Sequence, residues 1–325
     1  MARTSQPTLS IVVPTRNEAR NLEVVLPELP ADAEVIVVDG HSVDDTVAVA
    51  RRLRPDATVI TQTRRGKGNA LACGFAAVTG DIVVMFDADG SADPAEIPAF
   101  VAALVAGADV AKGTRFTAGA GSEDITALRR AGNAGLNGLA NLLLRSSYSD
   151  LCYGYNAFWA DMIAVLDLPD VGLPAPAEGM LWGDGFEIET LLTCRFAAVE
   201  ARVTEVASVE RERIHGETNL RTFADGFRVL RTLAREWVRP APARVPARAV
   251  VTVEPVGSAP VADVTDLVPA PRPVRPVRPV RPVRTRLPLR SVLPARAATA
   301  GAGVTRVATP TAFAVTGPRG RRIAQ

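Results

Sequence analysis

The first 115 residues alternate between short apolar runs and longer stretches of helical character. The apolar runs are rich in β-branched residues and cover 9–13, 34–38, 58–61, 82–86 and 109–112. The helical stretches between them cover 17–26, 44–53, 68–78 and 95–106. Strands that alternate with helices are typical of a parallel sheet. Because the runs are apolar throughout, we expect an α/β fold: a mostly parallel central sheet with helices on both faces.

Beyond residue 115 the order of elements changes. The pattern predicts a long helix at 125–145, a strand at 153–159, a helix at 186–194, one or two strands within 197–209 and a final helix at 221–238. The chain has 325 residues and is 47% hydrophobic, enough to bury a sizeable core. We therefore assign 1–238 to one folded domain.

Residues 239–325 are rich in proline, arginine and alanine, and 271–284 repeat the triplet Pro-Val-Arg. They hold 15 arginines and 3 acidic residues, a net charge of about +12, whereas residues 1–238 carry about −10. Recurrent proline blocks helix and central strand. We expect a disordered tail with polyproline II character.

Cysteine and histidine usage excludes several classes of site. The three cysteines are widely spaced and form no CxxC pair, so we expect neither a disulfide framework nor a zinc site, and a reducing cytoplasm fits. Two histidines exclude a multi-histidine metal centre. The chain begins without the apolar stretch of a signal peptide and has no run of 18 apolar residues, so we expect no transmembrane helix.

Asp87 and Asp89 directly follow the apolar run at 82–86. Ligands of parallel α/β sheets bind beyond the carboxyl ends of the strands. Two carboxylates at positions i and i+2 of a turn can converge on one divalent cation, and hard oxygen ligands suit Mg²⁺ or Mn²⁺. The alternative is a turn that leads into a helix starting at Asp93-Pro94.

Two further segments border the same edge of the predicted sheet. Asp39 ends the second apolar run, where it can bind a base or ribose or simply form an Asx turn. Segment 64–68, Arg-Arg-Gly-Lys-Gly, precedes a helix and offers Lys67 and a helix N-terminus to an anion. It lacks the spacing of a P-loop, and a solvated basic loop is the alternative interpretation.

The second half contains two polar segments of interest. Segment 183–189 holds three acids at a predicted helix start, where Asp184 or Glu187 could be a general base or an ordinary helix cap. Segment 211–220 contains two arginines, which suit phosphate, and His215, which could be a third metal ligand, a phosphate donor or a solvated surface residue.

Together these pieces resemble glycosyltransferase family 2, most closely the polyprenyl-phosphate (dolichyl-phosphate) mannose and glucose synthases. The resemblance runs from about 8 to 230. It rests on six motifs in order: VVPTRNEARN, VVDGHSVDDT, RRGKGNALACGF, MFDADGSADP, KGTRF and RIHGETNL. Gly40 departs from the common Val-Asp-Asp of the second motif, and Asn219 stands where lysine is frequent. The hydrophobic C-terminal helices of some relatives have no counterpart.

The resemblance implies a GT-A (Rossmann-like) fold with a donor-binding half at about 8–115 and an acceptor half at about 116–238. It also implies a role for each matching residue. Pro14, Thr15, Asn17 and Glu18 line the nucleotide pocket; Asp39 binds base or ribose; Asp87 and the catalytic Asp89 hold the metal and diphosphate; Arg115 and Arg213 contact phosphate.

The resemblance further implies an inverting, metal-dependent transfer of a hexose from a UDP-glucose or GDP-mannose type of donor. A polyprenyl-phosphate acceptor is already a nucleophile, whereas a hydroxyl on a soluble or polysaccharide acceptor needs a base such as Asp184 or Glu187. An inert nucleotide-sugar-binding scaffold with a partner-recruiting tail is the alternative of another class. A nucleotidyltransferase is disfavoured because its glycine-rich opening is missing, and we expect no specific binding of nucleic acid.

The helix predicted at 221–238 has an apolar stripe beside a row of arginines. The stripe comprises Phe223, Phe227, Leu230, Ala234 and Trp237. Such a helix, followed by a basic tail, favours peripheral contact with the inner face of a membrane. The alternative is that the stripe packs on the catalytic domain.

Overall fold

The computed structural model describes residues 3–123, 125–216 and 222–239. Contacts divide the chain into two units, Met1–Val251 and Thr252–Gln325, and every described residue belongs to the first. The predicted disordered tail lies almost wholly outside the described residues. Within the described part of the chain, no helix is both long enough and apolar enough to cross a membrane.

The described elements follow the predicted order closely. The strands are β1 Leu9–Thr15, β2 Glu34–Asp39, β3 Thr58–Thr61, β4 Ile82–Met85, β5 Val110–Thr114, β6 Gly121–Ser122, β7 Asn156–Trp159, β8 Val203–Ala207 and β9 Val209–Glu210. The α-helices are α1 Ala19–Glu28, α2 Thr46–Leu53, α3 Lys67–Ala77, α4 Ile97–Val105, α5 Ala127–Leu144, α6 Ile188–Ala198 and α7 Thr222–Trp237. Two 3-10 helices cover Pro94–Glu96 and Ala160–Val165.

The central sheet has seven strands in the order β3-β2-β1-β4-β7-β5-β8. All neighbours pair in parallel except β7, which runs antiparallel to both β4 and β5. This confirms the mostly parallel α/β fold. The chain leaves β1 towards β2 on one side and reaches β4 on the other, so the carboxyl ends of these strands form the switch point at which such sheets bind ligands.

The strands are apolar throughout because both faces of the sheet are covered. Side chains of β1, β2 and β4 are almost completely buried, including Ile11, Ile36 and Ile82, each 0% exposed. Phe86 and Phe100 pack against Tyr155 with ring centroids 5.5 and 4.4 Å away. This rigid core fixes the positions of the loops that follow each strand.

Two predicted boundaries in the second half were wrong. The predicted strand at 197–209 starts only at Val203, because α6 runs on to Ala198. The strand predicted from residue 153 starts at Asn156. Tyr153 and Tyr155 are nevertheless buried. Their burial explains why this segment has the apolar and aromatic composition of a strand without forming one.

The last helix, α7, packs on α5 and α6. Leu233 is buried in this contact, and Glu236 pairs with Arg195 of α6. The apolar stripe faces the other way, since Phe227 is 69% and Trp237 61% exposed. The interpretation that the stripe packs on the domain is therefore wrong for its described members.

Candidate active site

The loops that follow β1 and β2 are joined by hydrogen bonds at the carboxyl edge of the sheet. The Gly40 amide donates to the Thr15 carbonyl over 2.7 Å. The Asn17 amide donates to Ser42 Oγ over 2.9 Å, and Asn17 has a left-handed φ of 55°. The predicted nucleotide-pocket segment that begins at Pro14 therefore forms one wall with the loop after Asp39.

Asp39 is 5% exposed, and both of its carboxylate oxygens accept from the Ser42 amide at 3.2 Å. This contact is the local turn that was the alternative to a ligand role. It does not use up the carboxylate, which has about four acceptor positions. Binding of base or ribose by Asp39 stays a prediction.

Arg213 links the first loop to the aspartate turn after β4. Its guanidinium pairs with Glu18 at 2.9 Å and with Asp89 at 3.4 Å. The contact brings residues almost 200 positions apart in sequence to one spot, and it places the predicted phosphate arginine beside the predicted metal carboxylate. Arg213 is only partly buried, so its guanidinium can turn towards a ligand.

Asp87, Lys67 and Glu189 form a second charged cluster at this edge. The Lys67 ammonium lies 2.8 Å from Asp87 and 2.7 Å from Glu189. Burial raises the pKa of the Asp87 carboxyl; Lys67 opposes that rise, and repulsion from Asp89 and Glu189 adds to it, leaving the pKa above its ordinary value. Because two carboxylates share the one Lys67 ammonium, the cluster carries an excess of negative charge, which favours a further cation.

The turn after β4 is held in a fixed shape. The Ser91 amide and hydroxyl both donate to Asp89 Oδ1, over 3.0 and 2.7 Å. The Ile214 amide donates to the Asp89 carbonyl over 3.1 Å. Gly90 has a φ of 79°, which favours glycine, and a Cβ there would lie 2.4 Å from Ile214 Cδ1, so a larger residue would displace the Ile214 side chain.

The donor chemistry at this edge fits a divalent cation bound together with a ligand. Asp87 and Asp89 offer hard carboxylate oxygens, and Lys67 and Arg213 each pair with one of them. Within the described residues, no group of three or more His, Cys, Asp or Glu side chains is assembled around a metal position. Asp87 and Asp89 are the carboxylates that would hold Mg²⁺ or Mn²⁺.

His215 lies next to this turn. Its carbonyl accepts from Asn21 Nδ2 at 3.1 Å and from Arg213 at 3.3 Å, so its backbone is fixed one residue beyond the bond between Ile214 and Asp89. Metal ligation by the His215 side chain stays a prediction.

The two acids predicted as general bases are both engaged elsewhere. Asp184 is 1% exposed and binds Arg64 through both oxygens, at 2.7 and 2.9 Å. Glu187 accepts from the amides of Gly183 and Gly185, at 2.9 and 3.2 Å. In this geometry Asp184 neutralises a buried arginine, and Oε1 of Glu187 closes its own loop. A role as general base stays a prediction for both acids.

Glu189 is the acid of this segment that reaches the cluster, and the sequence interpretation passed over it. It lies in the first turn of α6, two residues beyond Glu187, and its side chain is 11% exposed. The predicted helix at 186–194 already contained Glu189, but the lysine that it meets lies on another helix.

The predicted anion site at 64–68 has a different role for most of its residues. Arg64 forms an ion pair with Asp184. The backbone amide of Asn69, at the start of α3, donates to the Asp184 carbonyl over 3.1 Å. A Cβ at Gly68 would lie 1.9 Å from the Gly183 carbonyl oxygen. The glycine allows two backbones to touch, and Lys67 alone faces the aspartates.

Arg115 was predicted to contact phosphate, but its guanidinium is occupied. It binds Asp150 at 2.7 Å and Glu210 at 3.0 Å, and it lies 4.8 Å from the ring centroid of Tyr153. Its side chain is 11% exposed. Arg115 therefore ties β5 to the neighbouring segments in this structure.

The chain was compared with protein-family models, with curated proteins and with solved structures. Residues 10–165 match the family described as Glycosyl transferase family 2. The chain carries a glycosyltransferase family 2 domain. The match covers β1 through Val165 and therefore includes Asp39, Lys67, Asp87 and Asp89.

Curated relatives of the family 2 domain cover part of the chain. An uncharacterised glycosyltransferase of Mycobacterium tuberculosis is 42% identical over 107 residues, which are 33% of this chain and 48% of the relative. A dolichol-phosphate mannosyltransferase of Pyrococcus furiosus is 28% identical over 185 residues, 54% of this chain and 53% of the relative. The chain thus spans about half the length of these relatives.

Among solved structures, glucosyl-3-phosphoglycerate synthase of Mycobacterium tuberculosis, in complex with Mn²⁺, UDP-glucose and phosphoglyceric acid, has a similar fold. It has a TM-score of 0.54 and 25% identity, and the match covers 73% of this chain and 82% of that one. Another structure of the same synthase contains Mg²⁺ and UDP. These likenesses agree with the GT-A fold that the sequence resemblance implies.

Proposed function

We propose that the chain is an inverting, metal-dependent glycosyltransferase that moves a hexose from a nucleotide diphosphate sugar to an acceptor. One observation carries the proposal: paired charges lie at the carboxyl edge of the sheet, with Lys67 on Asp87 and Arg213 on Asp89. A metal ion bound to a diphosphate likewise places a positive group beside a negative one. It can therefore replace both ion pairs at once, with the metal on the aspartates and the diphosphate on the two cations.

In this proposal the donor half covers about 8–115 and the acceptor half about 116–238. The wall formed by 14–18 and Asp39 holds the nucleoside, and Asp87 and Asp89 hold Mg²⁺ or Mn²⁺. When bound, the metal neutralises charge that develops on the departing diphosphate. Lys67 and Arg213 orient the same diphosphate by direct contact, which keeps it in line for displacement.

For the acceptor we propose a polyprenyl phosphate. The relative from Pyrococcus furiosus is named for transfer to dolichol phosphate, and a phosphate nucleophile needs no base. This agrees with the engagement of Asp184 and Glu187 in structural contacts. A hydroxyl acceptor is the second candidate, because Glu189 lies at the cluster and could take its proton.

The donor site is tested by calorimetric titration with UDP and GDP in the presence and absence of Mn²⁺ or Mg²⁺, followed by turnover of UDP- and GDP-hexoses. We expect metal-dependent nucleotide binding that Asp87→Asn and Asp89→Asn each weaken at least about tenfold. The matched control is Asp93→Asn, since Asp93 lies in the same loop but caps the next helix. Metal-independent binding, or no binding of either nucleotide, would overturn the proposal.

Glu189→Gln separates the two acceptors. With a polyprenyl phosphate, we expect turnover to fall by less than about tenfold, because only the position of Lys67 is affected. With a hydroxyl acceptor the loss should be about 100-fold to 10,000-fold, the usual contribution of a general base. The exposed Glu178→Gln serves as the control of equal charge change.

A further inference from the structure

The orientation of α7 is fixed by its contacts with α6. Arg195 donates to Glu236 over 3.1 Å, and the two side chains are only 5% and 4% exposed. Leu233 and Thr232, on the same side of the helix, are 1% and 0% exposed. Trp182 Nε1 also donates to Glu236, over 2.9 Å. A buried ion pair and an apolar contact thus determine which face of α7 points outward.

The outward face of α7 is apolar and continuous. Phe227, Leu230, Trp237 and Val238 are 69%, 42%, 61% and 71% exposed. Their spacing of three, seven and one residues puts them within about 100° of arc on a helix. Single exposed apolar residues are ordinary, but a contiguous stripe with two large aromatics marks a contact surface.

A row of arginines runs along one edge of this stripe. Arg228, Arg231 and Arg235 recur at helical spacing and lie over the rings of Phe186 and Trp182. Arg235 is closest, 4.3 Å from the ring centroid of Trp182. Phe186 is itself 48% exposed, so the loop before α6 extends the surface. We call the stripe, the arginine row and these two rings the α7 surface.

We propose that the α7 surface docks on a lipid bilayer that contains anionic headgroups. A helix that offers aromatic and aliphatic side chains beside a basic row lies in the interfacial plane of a membrane. Of the two acids described on α7, Glu236 is buried against Arg195, and Asp225 pairs with Arg228 of the row. Asp225 offsets the charge of Arg228, but among the described residues Arg231 and Arg235 form no ion pair. The row therefore keeps a net positive charge, which anionic lipid complements.

Two other occupants fit the charges less well. A second copy in a symmetric dimer would bring the arginine row towards its own copy, like charge against like. The segment after α7 is also basic, with 14 arginines and 3 acidic residues in 240–325, so it offers no complement. Docking on lipid is independent of the proposed transfer reaction, because it requires neither donor nor acceptor.

The test is flotation of the full chain with two kinds of vesicle: phosphatidylcholine alone, and phosphatidylcholine with about 30% phosphatidylglycerol. The second kind has a negative surface charge. We expect binding to the anionic vesicles only, falling in high salt. Phe227→Ser/Trp237→Ser should weaken the partition coefficient at least about tenfold. Replacing Arg228, Arg231 and Arg235 by glutamine should weaken it about fivefold per charge.

Matched controls keep the rest of the chain unchanged. Val24→Ser/Val105→Ser removes two exposed apolar residues from other helices, and glutamine at Arg20, Arg51 and Arg52 removes three exposed charges. Circular dichroism checks that each variant is folded. Equal binding by the wild type and the α7 variants would overturn the proposal, because the basic segment alone would then explain it. A concentration-dependent dimer that the serine variant abolishes, without lipid binding, would overturn it as well.

Discussion

The pair of Arg64 and Asp184 gives the sharpest prediction, because the sequence and the structure assign Asp184 different roles. The sequence makes it a candidate base; the structure buries both partners, with each side chain 1% exposed. Arg64 also donates to the carbonyls of Asp170 and Leu173, at 2.8 and 3.0 Å. Asp184 therefore neutralises a cation that no solvent reaches.

Asp184→Asn keeps the shape of the side chain but removes its charge. Because the carboxylate is bidentate, the amide nitrogen of asparagine would face a guanidinium N–H, donor against donor. Removing one partner of a buried pair costs about 3–5 kcal/mol, since the other charge stays buried. In a domain of this size each kcal/mol changes the melting temperature by about 2–4 °C, so it should fall by about 6–20 °C.

Thermal unfolding measured by calorimetry or circular dichroism tests this value, with turnover normalised to the folded fraction. We expect near-normal turnover per folded molecule. Asp56→Asn is the matched control: Asp56 also pairs with an arginine, Arg54, but its side chain is 59% exposed. Such a pair contributes at most about 1 kcal/mol, so the melting temperature should change by no more than about 4 °C.

A second variant keeps the test decisive if Asp184→Asn folds poorly. Arg64→Met/Asp184→Leu replaces both charges with apolar groups, which is often neutral for a buried pair. It should melt above the single variant and retain turnover. If Asp184→Asn melted like the wild type but lost turnover, or if the stable double variant were inactive, the structural role given to Asp184 would be refuted.

Two further variants probe the cluster and the sheet. A Cβ at Gly154 would lie 3.2 Å from Asp87 Oδ2 and 3.4 Å from Lys67 Nζ, so Gly154→Ala should lower turnover about tenfold or more with little change in melting temperature; an unchanged kcat would contradict this crowding. Burial acts to raise the pKa of Asp109, but hydrogen bonds from Arg202 and Arg3 outweigh it and hold that pKa below its usual 3.8. Asp109 therefore stabilises the fold above pH 3.8, and the contribution is lost as pH falls through the lowered pKa. Asp109→Asn should melt about 2–4 °C lower at pH 7, with the gap closing in acid; a gap that persists at low pH would contradict the assignment.

Much of the fold could be predicted because its signals are local. Five apolar runs and the stretches between them gave the first five strands and four helices, with ends misplaced by only a few residues. Each run is buried on both faces, so its apolar composition does not depend on which strand it pairs with. The antiparallel direction of β7 could not be predicted, because a strand that is covered on both faces has the same apolar pattern whether it runs parallel or antiparallel.

Site residues divide in the same way. Asp87 and Asp89 could be named as candidates because they directly follow a strand, at the edge where such sheets bind ligands. Arg64, Arg115 and Asp184 looked like ligand residues because their partners, as many as 120 positions away, are invisible in the sequence. Glu189 was overlooked for the same reason, since its role depends on Lys67 from another helix.

The sequence by itself determined the elements, their order, and the polar residues placed at strand ends. The tertiary structure decided which charged side chains pair with each other and which pairs lie together at the carboxyl edge of the sheet. It also decided that the stripe of α7 faces outward, because Arg195 holds Glu236 on the opposite side of the helix. The physical reason is that periodicity and burial act along the chain, whereas charge pairing depends on distances that only the folded chain defines.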